Sequence, residues 1–255
     1  MKNWRWFILG ILLLGVPLRS RAAEVNLLAA FPSDPQAFTQ GLEMSPEGKL
    51  TIGTGGYGSS SIGYLNLKTG QVEKRVDLPK AYFGEGITWS PDYLYQLSWR
   101  EGSLLIRHPH DLRLVDKIPY QGEGWGLAYD SESQSLWMSD GSNKIYQRDL
   151  DNFAIMSTLD VKSQGRPINR LNELEWVDGF IFANVWYTMT IIKIDTMTGQ
   201  VVKTYDIQPL IDQLELSEDQ LAQMDSLNGI AHIEGNRFYL TGKLYPVVME
   251  VELME

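Results

Sequence analysis

Apolar and polar residues alternate along most of the chain, and the alternation belongs to a long internal repeat. Each unit has a polar or aromatic residue, usually a glycine, then Leu or Ile, a turn and a second alternating run. Period-two alternation of this kind predicts β-strands. The glycine position of the five units, which we call the register position, is occupied by Gly41, Gly86, Gly126, Glu173 and Gly229, at spacings of 45, 40, 47 and 56 residues.

Each of the first four units is followed by another pair of alternating runs. Residues 62–78 and 191–207 are near-copies of each other, and residues 104–118 and 144–161 are looser versions. Two alternating runs about a turn predict a hairpin. Two hairpins per repeat of about 40–50 residues are typical of a propeller blade. The pattern therefore predicts an all-β fold, a five-bladed β-propeller of four-stranded antiparallel blades.

The two ends of the repeat region predict how the ring closes. The last unit ends with residues 247–255, one strand short of a blade, and residues 24–31 form an unused strand near the start. We expect these two strands to pair, which removes two exposed edges. The longest spacing contains residues 209–226, where Ser217 is followed three residues later by Gln220, so we predict one short inserted helix there.

The first 23 residues are predicted to be a signal peptide. They combine Lys2 and Arg5 with an apolar run at residues 6–16 and small residues that allow cleavage after Ala22 or Ala23. An uncleaved membrane anchor is the alternative, although the run is short for a bilayer. We expect a periplasmic or secreted protein in which residues 24–255 form a single catalytic propeller domain. The absence of Cys excludes disulfides and a lipid-modified Cys.

The charge of the chain limits its partners. The formal net charge is −10, and it becomes −14 without the first 23 residues, which carry four basic residues and no acidic one. Such a surface repels a phosphate backbone, so we expect no nucleic-acid binding. No basic amphipathic helix suggests membrane-surface binding. We expect a monomer without stable membrane association after signal cleavage.

Equivalent positions of a propeller form a ring around its central channel, so the residue before each register position should lie at one channel mouth. These residues are Gln40, Glu85, Trp125, Asn172 and Asn228. A carboxylate among amides and aromatics is expected to have a raised pKa through desolvation, which suits a general acid/base. A salt-bridged structural Glu85 is the alternative, and the three amides are equally compatible with satisfying backbone groups in turns.

Tryptophans occur at matching places of the repeats. Trp99 and Trp186 end the second strands of their units, and together with Trp125 they are predicted to wall a pocket for a small group with apolar and amide parts. Core positions are expected for Trp89, Trp137 and Trp176. Lys243 follows the second strand of the fifth unit, where a solvated lysine is the alternative.

The histidines give a weak metal signal. His108 and His110 stand in an outer-strand turn without an obvious carboxylate partner, and His232 is expected to pack in a strand. We therefore predict no metal site.

The chain resembles the plant and bacterial type of glutaminyl-peptide cyclotransferase. The matching motifs run in order from Phe38 to Pro246: FTQGL, GTGGYGSSSI, FGEGIT, EGWGL, SDGS, LNELEW, NVW, LNGIA and TGKLYP. The resemblance implies a five-bladed propeller enzyme that cyclises the N-terminal Gln of peptides or proteins to pyroglutamate and releases ammonia, without zinc or another cofactor.

The resemblance also implies roles for individual residues. Glu85 corresponds to the catalytic acid/base. Tyr245 stands where the family usually has Trp, so we expect a pocket wall of altered shape there. The implied substrate-binding residues are Phe38, Gln40, Phe83, Trp99, Trp125, Asn172, Glu173, Trp186 and Lys243.

Two other functions are compatible with a propeller. A non-catalytic periplasmic protein that binds peptides or proteins needs an exposed apolar face and releases no ammonia. A lactonase-like sugar hydrolase needs a channel metal held by several carboxylates, whereas only Glu85 and Glu173 are predicted near the mouth.

Overall fold

A computed structural model describes residues 24–254, which contain 22 strands and two short helices. The predicted signal peptide lies outside the described residues. The strands form five four-stranded antiparallel sheets arranged as the blades of a propeller, together with one two-stranded hairpin. The predicted all-β, five-bladed architecture is confirmed. Of the helices in residues 24–254, none is long and apolar enough to cross a membrane.

The strands follow the repeat in chain order. After β1 (Val25–Pro32), blade 1 contains β2 (Thr39–Met44), β3 (Leu50–Thr54), β4 (Ser61–Leu65) and β5 (Val72–Asp77). Blade 2 contains β6 (Gly84–Trp89), β7 (Leu94–Ser98), β8 (Ser103–Arg107) and β9 (Leu114–Pro119). Blade 3 contains β10 (Leu127–Asp130), β11 (Ser135–Ser139), β12 (Lys144–Asp149) and β13 (Ile155–Asp160).

The remaining elements complete the ring. The two-stranded hairpin consists of β14 (Lys162–Ser163) and β15 (Arg166–Pro167). Blade 4 contains β16 (Leu171–Val177), β17 (Phe180–Val185), β18 (Thr190–Asp195) and β19 (Val201–Asp206). After the helices α1 (Gln208–Ile211) and α2 (Glu218–Gln223), blade 5 contains β20 (Leu227–Glu234), β21 (Arg237–Gly242) and β22 (Val247–Leu253).

The first and last strands close the propeller. β1 pairs antiparallel with β22, from Val25 opposite Leu253 to Pro32 opposite Val247, and it forms the outer strand of blade 5. The predicted closure is confirmed. The N-terminal strand thus supplies the fourth strand that the last repeat lacks, and β22 has a partner on both sides.

The insertion before blade 5 holds two helices, where one was predicted. α2 is the predicted helix: the Ser217 side chain accepts a hydrogen bond from the Gln220 backbone, and the Gln220 side chain accepts one from Ser217. α1 was missed because a single turn leaves no periodic pattern. It has a proline in its first turn and is held by the buried side chains of Leu210 and Ile211.

The innermost strands β2, β6, β10, β16 and β20 contact one another around the axis. Four of them have a register irregularity at the register position, between Thr39 and Gly41 in β2 and at the matching places in β6, β16 and β20. Such bulges redirect side chains and are common next to active sites. Here they redirect the residues at the channel mouth.

Glycine at the register position permits close contact between blades. A Cβ on Gly86 would lie 2.6 Å from the Trp125 carbonyl oxygen, and the Gly86 N–H donates to that oxygen at 2.7 Å. The innermost strands of blades 2 and 3 can therefore approach through their backbones. This packing brings the residues that precede the glycines towards the same opening.

Candidate active site

A cavity of about 230 Å³ opens at this mouth of the channel. Nine of the ten residues predicted from the sequence line it together: Phe38, Gln40, Phe83, Glu85, Trp99, Trp125, Asn172, Trp186 and Lys243. Its volume is below the roughly 300–1,000 Å³ of drug-sized ligand sites, and it suits a single amino-acid residue. A cleft of about 420 Å³ at the other end of blade 1 lacks this convergence of polar and aromatic groups.

Glu85 lies at the bulge of β6, with only 5% of its surface exposed. Gln40 donates a hydrogen bond from Nε2 to the Glu85 Oε1 atom at 3.1 Å. Burial raises the pKa of the Glu85 carboxyl well above its usual value. The Lys243 ammonium opposes this rise, whereas Glu123 and Glu101 add to it. These surroundings favour the protonated form of the Glu85 carboxyl.

Amide side chains arrange the polar end of the cavity. Asn228 donates from Nδ2 to the Gln40 Oε1 atom and to the Thr39 carbonyl, both at 3.1 Å, and so fixes the orientation of the Gln40 amide. Asn228 itself is fully buried and supports the site from behind. Within the described structure, Asn172 Oδ1 is buried without a hydrogen-bond partner. A buried acceptor costs free energy unless it is paired, so it is suited to receive an N–H group of a ligand.

Five rings from four blades form a wall that we call the aromatic belt: Phe38, Phe83, Trp99, Trp125 and Trp186. The Phe83 ring lies 6.3 Å from the Phe38 ring and 5.5 Å from the Trp99 ring. Trp125 and Trp186 meet edge to face at 5.1 Å. These contacts give two runs of rings, which are joined by charged side chains.

Lys243 and Glu123 stand at the two junctions of the aromatic belt. Lys243 Nζ lies 4.8 Å from the Phe38 ring centre and 5.5 Å from that of Trp186. Glu123 Oε2 accepts the indole N–H of Trp99 at 2.9 Å and of Trp125 at 3.1 Å. Burial acts to raise the Glu123 pKa, but hydrogen bonds from Trp125, Trp99 and Arg100 outweigh it and hold the pKa low. Glu123 is therefore a carboxylate at neutral pH.

Glu123 was not singled out in the sequence. A signal existed, because a buried indole N–H needs an acceptor, and a carboxylate two residues before Trp125 is a candidate.

Glu173 lies outside the cavity lining, in contrast to the place that the resemblance implied. It is fully buried, and its two carboxylate oxygens accept the backbone N–H groups of Leu42 at 3.3 Å and Ile230 at 2.9 Å. Glu173 occupies the register position where the other repeats have glycine. Its side chain therefore points between blades 1 and 5 rather than into the cavity.

Tyr245 also lies away from the cavity, in the core cluster at blade 5, so it forms no pocket wall. Trp89 and Trp137 are buried in the core, and Trp176 packs against it while partly exposed.

The histidines lie elsewhere. His108 Nδ1 is 3.3 Å from Asp111, and His110 Nδ1 is 3.5 Å from Glu47. His232 contacts the Gly235 carbonyl with Nε2 at 2.9 Å. Among residues 24–254, no group of three or more His, Cys, Asp or Glu side chains is arranged to hold a metal ion.

Comparisons with known proteins agree with this geometry. The sequence profile described as glutamine cyclotransferase matches residues 15–253. A glutaminyl-peptide cyclotransferase from Arabidopsis thaliana is 34% identical over 243 residues, covering 93% of this chain and 74% of that protein. The crystal structure of Myxococcus xanthus glutaminyl cyclase superposes with a TM-score of 0.80 at 31% identity, covering 91% of this chain and 97% of that one. The chain belongs to the glutamine cyclotransferase family.

Proposed function

We propose that this protein is a glutaminyl-peptide cyclotransferase that converts the N-terminal Gln of peptides or proteins to pyroglutamate. The observation that carries the proposal is the buried Glu85 carboxyl, held by an amide at the polar end of an aromatic cavity sized for one residue. The α-amine nitrogen attacks the γ-carboxamide carbon of the same residue. One C–N bond forms, the bond to the amide nitrogen breaks, and ammonia leaves.

In this mechanism Glu85 moves the proton. As a carboxylate it takes a proton from the attacking amine, and as a carboxylic acid it delivers a proton to the leaving NH2 group. A raised pKa suits both proton transfers, because it brings the pKa of the carboxyl closer to that of the peptide α-amine, about 7.7–8.0. One residue can therefore act as base and acid in turn.

The oxygen of the substrate amide becomes negatively charged in the tetrahedral intermediate. Lys243 and the amide N–H groups of Gln40 and Asn172 line the cavity and are the candidate donors to this oxygen. The unpaired Asn172 Oδ1 atom is free to accept an N–H of the substrate. These contacts would distinguish Gln from Glu, which has no amide N–H to offer.

The aromatic belt supplies positioning. Both reacting groups belong to one residue, so the barrier depends on folding the Gln side chain until its amide carbon meets the α-amine. Flat rings on several sides of a small cavity restrict extended conformers and exclude water. The chemistry then needs few charged groups.

Replacement of Glu85 tests the proposal. Glu85→Gln keeps the size of the side chain but removes the proton carrier, so kcat for a Gln-initiated dipeptide is expected to fall about 10²–10⁴-fold. Ammonia release and the loss of mass on cyclisation report the reaction. Glu47→Gln, at an exposed carboxylate outside the cavity, is the matched control and should retain wild-type kcat. A Glu85→Gln rate within a few-fold of wild type would exclude the proton-transfer role.

We also propose that the protein acts outside the cytoplasm as a monomer. The basic start and short apolar run of residues 1–23 support export. Mass spectrometry of the protein purified from its native host should give a mature N-terminus after Ala22 or Ala23. An intact N-terminus in the membrane fraction would instead support the uncleaved anchor.

A further inference from the structure

Glu123 joins the two runs of rings in the aromatic belt at Trp99 and Trp125, which do not contact each other ring to ring. It lies in the segment between β9 and β10, two residues before Trp125, and the same segment donates the Gly124 N–H to the Trp99 carbonyl at 3.0 Å. One oxygen, Oε2, accepts both indole N–H groups. The other oxygen accepts the Arg100 Nε–H at 3.0 Å. The carboxylate is thus shared by two cavity walls from different blades.

These hydrogen bonds restrict the orientation of the two indole rings. A single N–H at a fixed edge of the ring means that a hydrogen bond to it restricts how the ring can rotate. Two indoles bonded to the same oxygen are restricted relative to each other. Arg100 adds to this at Trp99, because its guanidinium carbon lies 3.8 Å from the Trp99 ring centre.

We propose that Glu123 is a positioning residue for cyclisation, which sets the angle between the Trp99 and Trp125 walls through one shared acceptor oxygen. This inference rests on the proposed function. Glu123 itself does not line the cavity. It acts through the two tryptophans that fold the Gln side chain towards its own α-amine.

The charge of Glu123 has a second effect, on Glu85. The titratable groups that interact with Glu85 are Lys243, Glu123, Glu101, Tyr120 and Tyr57. Glu123 raises the pKa of Glu85, and Lys243 lowers it. Removal of the Glu123 charge therefore favours the Glu85 carboxylate. The acid limb of the pH profile of kcat/KM should then move to lower pH.

Two substitutions separate the hydrogen-bond role from the charge. Glu123→Ala removes the acceptor and the charge, and kcat/KM is expected to fall about 100-fold, as expected for displacement of a reacting group by about 1 Å. Glu123→Gln keeps an amide oxygen as acceptor but loses the charge. It should recover most of the lost kcat/KM, while the acid limb of its pH profile still moves to lower pH.

Glu101→Gln is the matched control for charge. Glu101 accepts hydrogen bonds from the Tyr57 hydroxyl and the Phe83 backbone N–H, not from either indole. This variant should move the acid limb in the same direction as Glu123→Gln. The indole N–H signals of Trp99 and Trp125 should stay unchanged in it.

The indole N–H resonances of ¹⁵N-labelled protein provide a readout that does not need activity. In Glu123→Ala the Trp99 and Trp125 signals should shift and exchange faster with solvent, while those of the other tryptophans stay. The inference is overturned if these signals do not change, or if folded Glu123→Ala has wild-type kcat and KM at every pH. If the signals shift in Glu123→Ala but the wild-type protein cyclises no Gln peptide, the proposed function is overturned. The hydrogen bonds from Glu123 to the two indoles would then still be established.

Discussion

Lys243 is an ammonium group held in an aromatic corner. It is almost fully buried, and its pKa is lowered, mainly by burial, although Glu85 and Asp225 act against this. A buried cation that faces a buried carboxyl stabilises the carboxylate form. Lys243 and Glu85 therefore set each other's protonation, and the pair decides the pH at which the proposed base is available.

Removal of the Lys243 charge should shift the pH profile in a known direction. In Lys243→Met the Glu85 carboxylate loses a stabilising cation, so the pKa of Glu85 rises and the acid limb of kcat/KM moves to higher pH. The shift opposes the one expected for Glu123→Gln. The rate of ammonia release from a Gln dipeptide between pH 5 and 9 measures it.

Lys243→Arg is the control, because it keeps the positive charge and the contact with the rings of Phe38 and Trp186. We expect its acid limb to stay near that of wild type even if kcat falls through altered geometry. An acid limb of Lys243→Met at the wild-type pH, or below it, would show that Lys243 does not control the Glu85 proton.

At the scale of the strand, the register position ties the site to the stability of the ring. A methyl group on Gly86 would lie 2.6 Å from the Trp125 carbonyl oxygen and 2.7 Å from the Leu127 nitrogen, both backbone atoms that cannot turn aside. Gly86→Ala should therefore force blades 2 and 3 apart and cost about 3 kcal/mol. For a domain of this size that corresponds to a fall of about 6–12 °C in Tm.

Gly235→Ala is the comparison for this effect. Gly235 has a φ of +52°, and no atom lies within 4 Å of the position that a Cβ would take. Alanine there should therefore cost only the about 1–2 kcal/mol of a left-handed backbone conformation. Thermal unfolding followed by circular dichroism should give the larger loss for Gly86→Ala. Equal losses in the two variants would mean that the blades have room for a side chain at the register position.

The repeat explains why much of this site could be predicted from the sequence. Once the register was found, propeller geometry alone placed Gln40, Glu85 and Asn172 at one opening, where the structure has them. The repeat could not predict the positions of the Glu123 and Glu173 side chains, for physical reasons. Glu123 lies in an irregular segment outside the strand repeat. Glu173 occupies a glycine position, so its side chain enters the gap between blades instead of the cavity.

At the scale of the whole molecule, the central channel also carries acidic groups away from the cavity. Glu43 on β2 and Glu175 on β16 interact across the channel, and each carboxyl shifts the pKa of the other. Part of Glu43 reaches solvent, but protein atoms surround its carboxyl group. Burial raises its pKa to about 8, and burial together with the charge of Glu43 raises that of Glu175. We expect the two carboxyl groups to share a proton, which would join blade 1 to blade 4.

This shared proton makes the stability of the propeller depend on pH. A carboxyl whose pKa is higher in the folded than in the unfolded protein stabilises the fold fully below the unfolded value of about 4.5, and this contribution is lost as the pH rises through the folded value of about 8. The Tm should therefore fall from pH 6 to pH 9. Glu43→Gln carries no titrating proton and keeps an amide that can bond to Glu175, so its Tm should fall less and exceed that of wild type at pH 9.

Glu47→Gln is the control on the same blade. The hydrogen bond from Lys49 lowers the pKa of Glu47, so its contribution to stability is lost only as the pH falls through the acidic range. Glu47→Gln should keep the wild-type slope of Tm between pH 6 and 9. Calorimetry at matched ionic strength measures the three slopes. A Glu43→Gln slope as steep as that of wild type would show that the proton between blades 1 and 4 contributes nothing to the pH dependence of Tm. Other groups in the ring would then cause it.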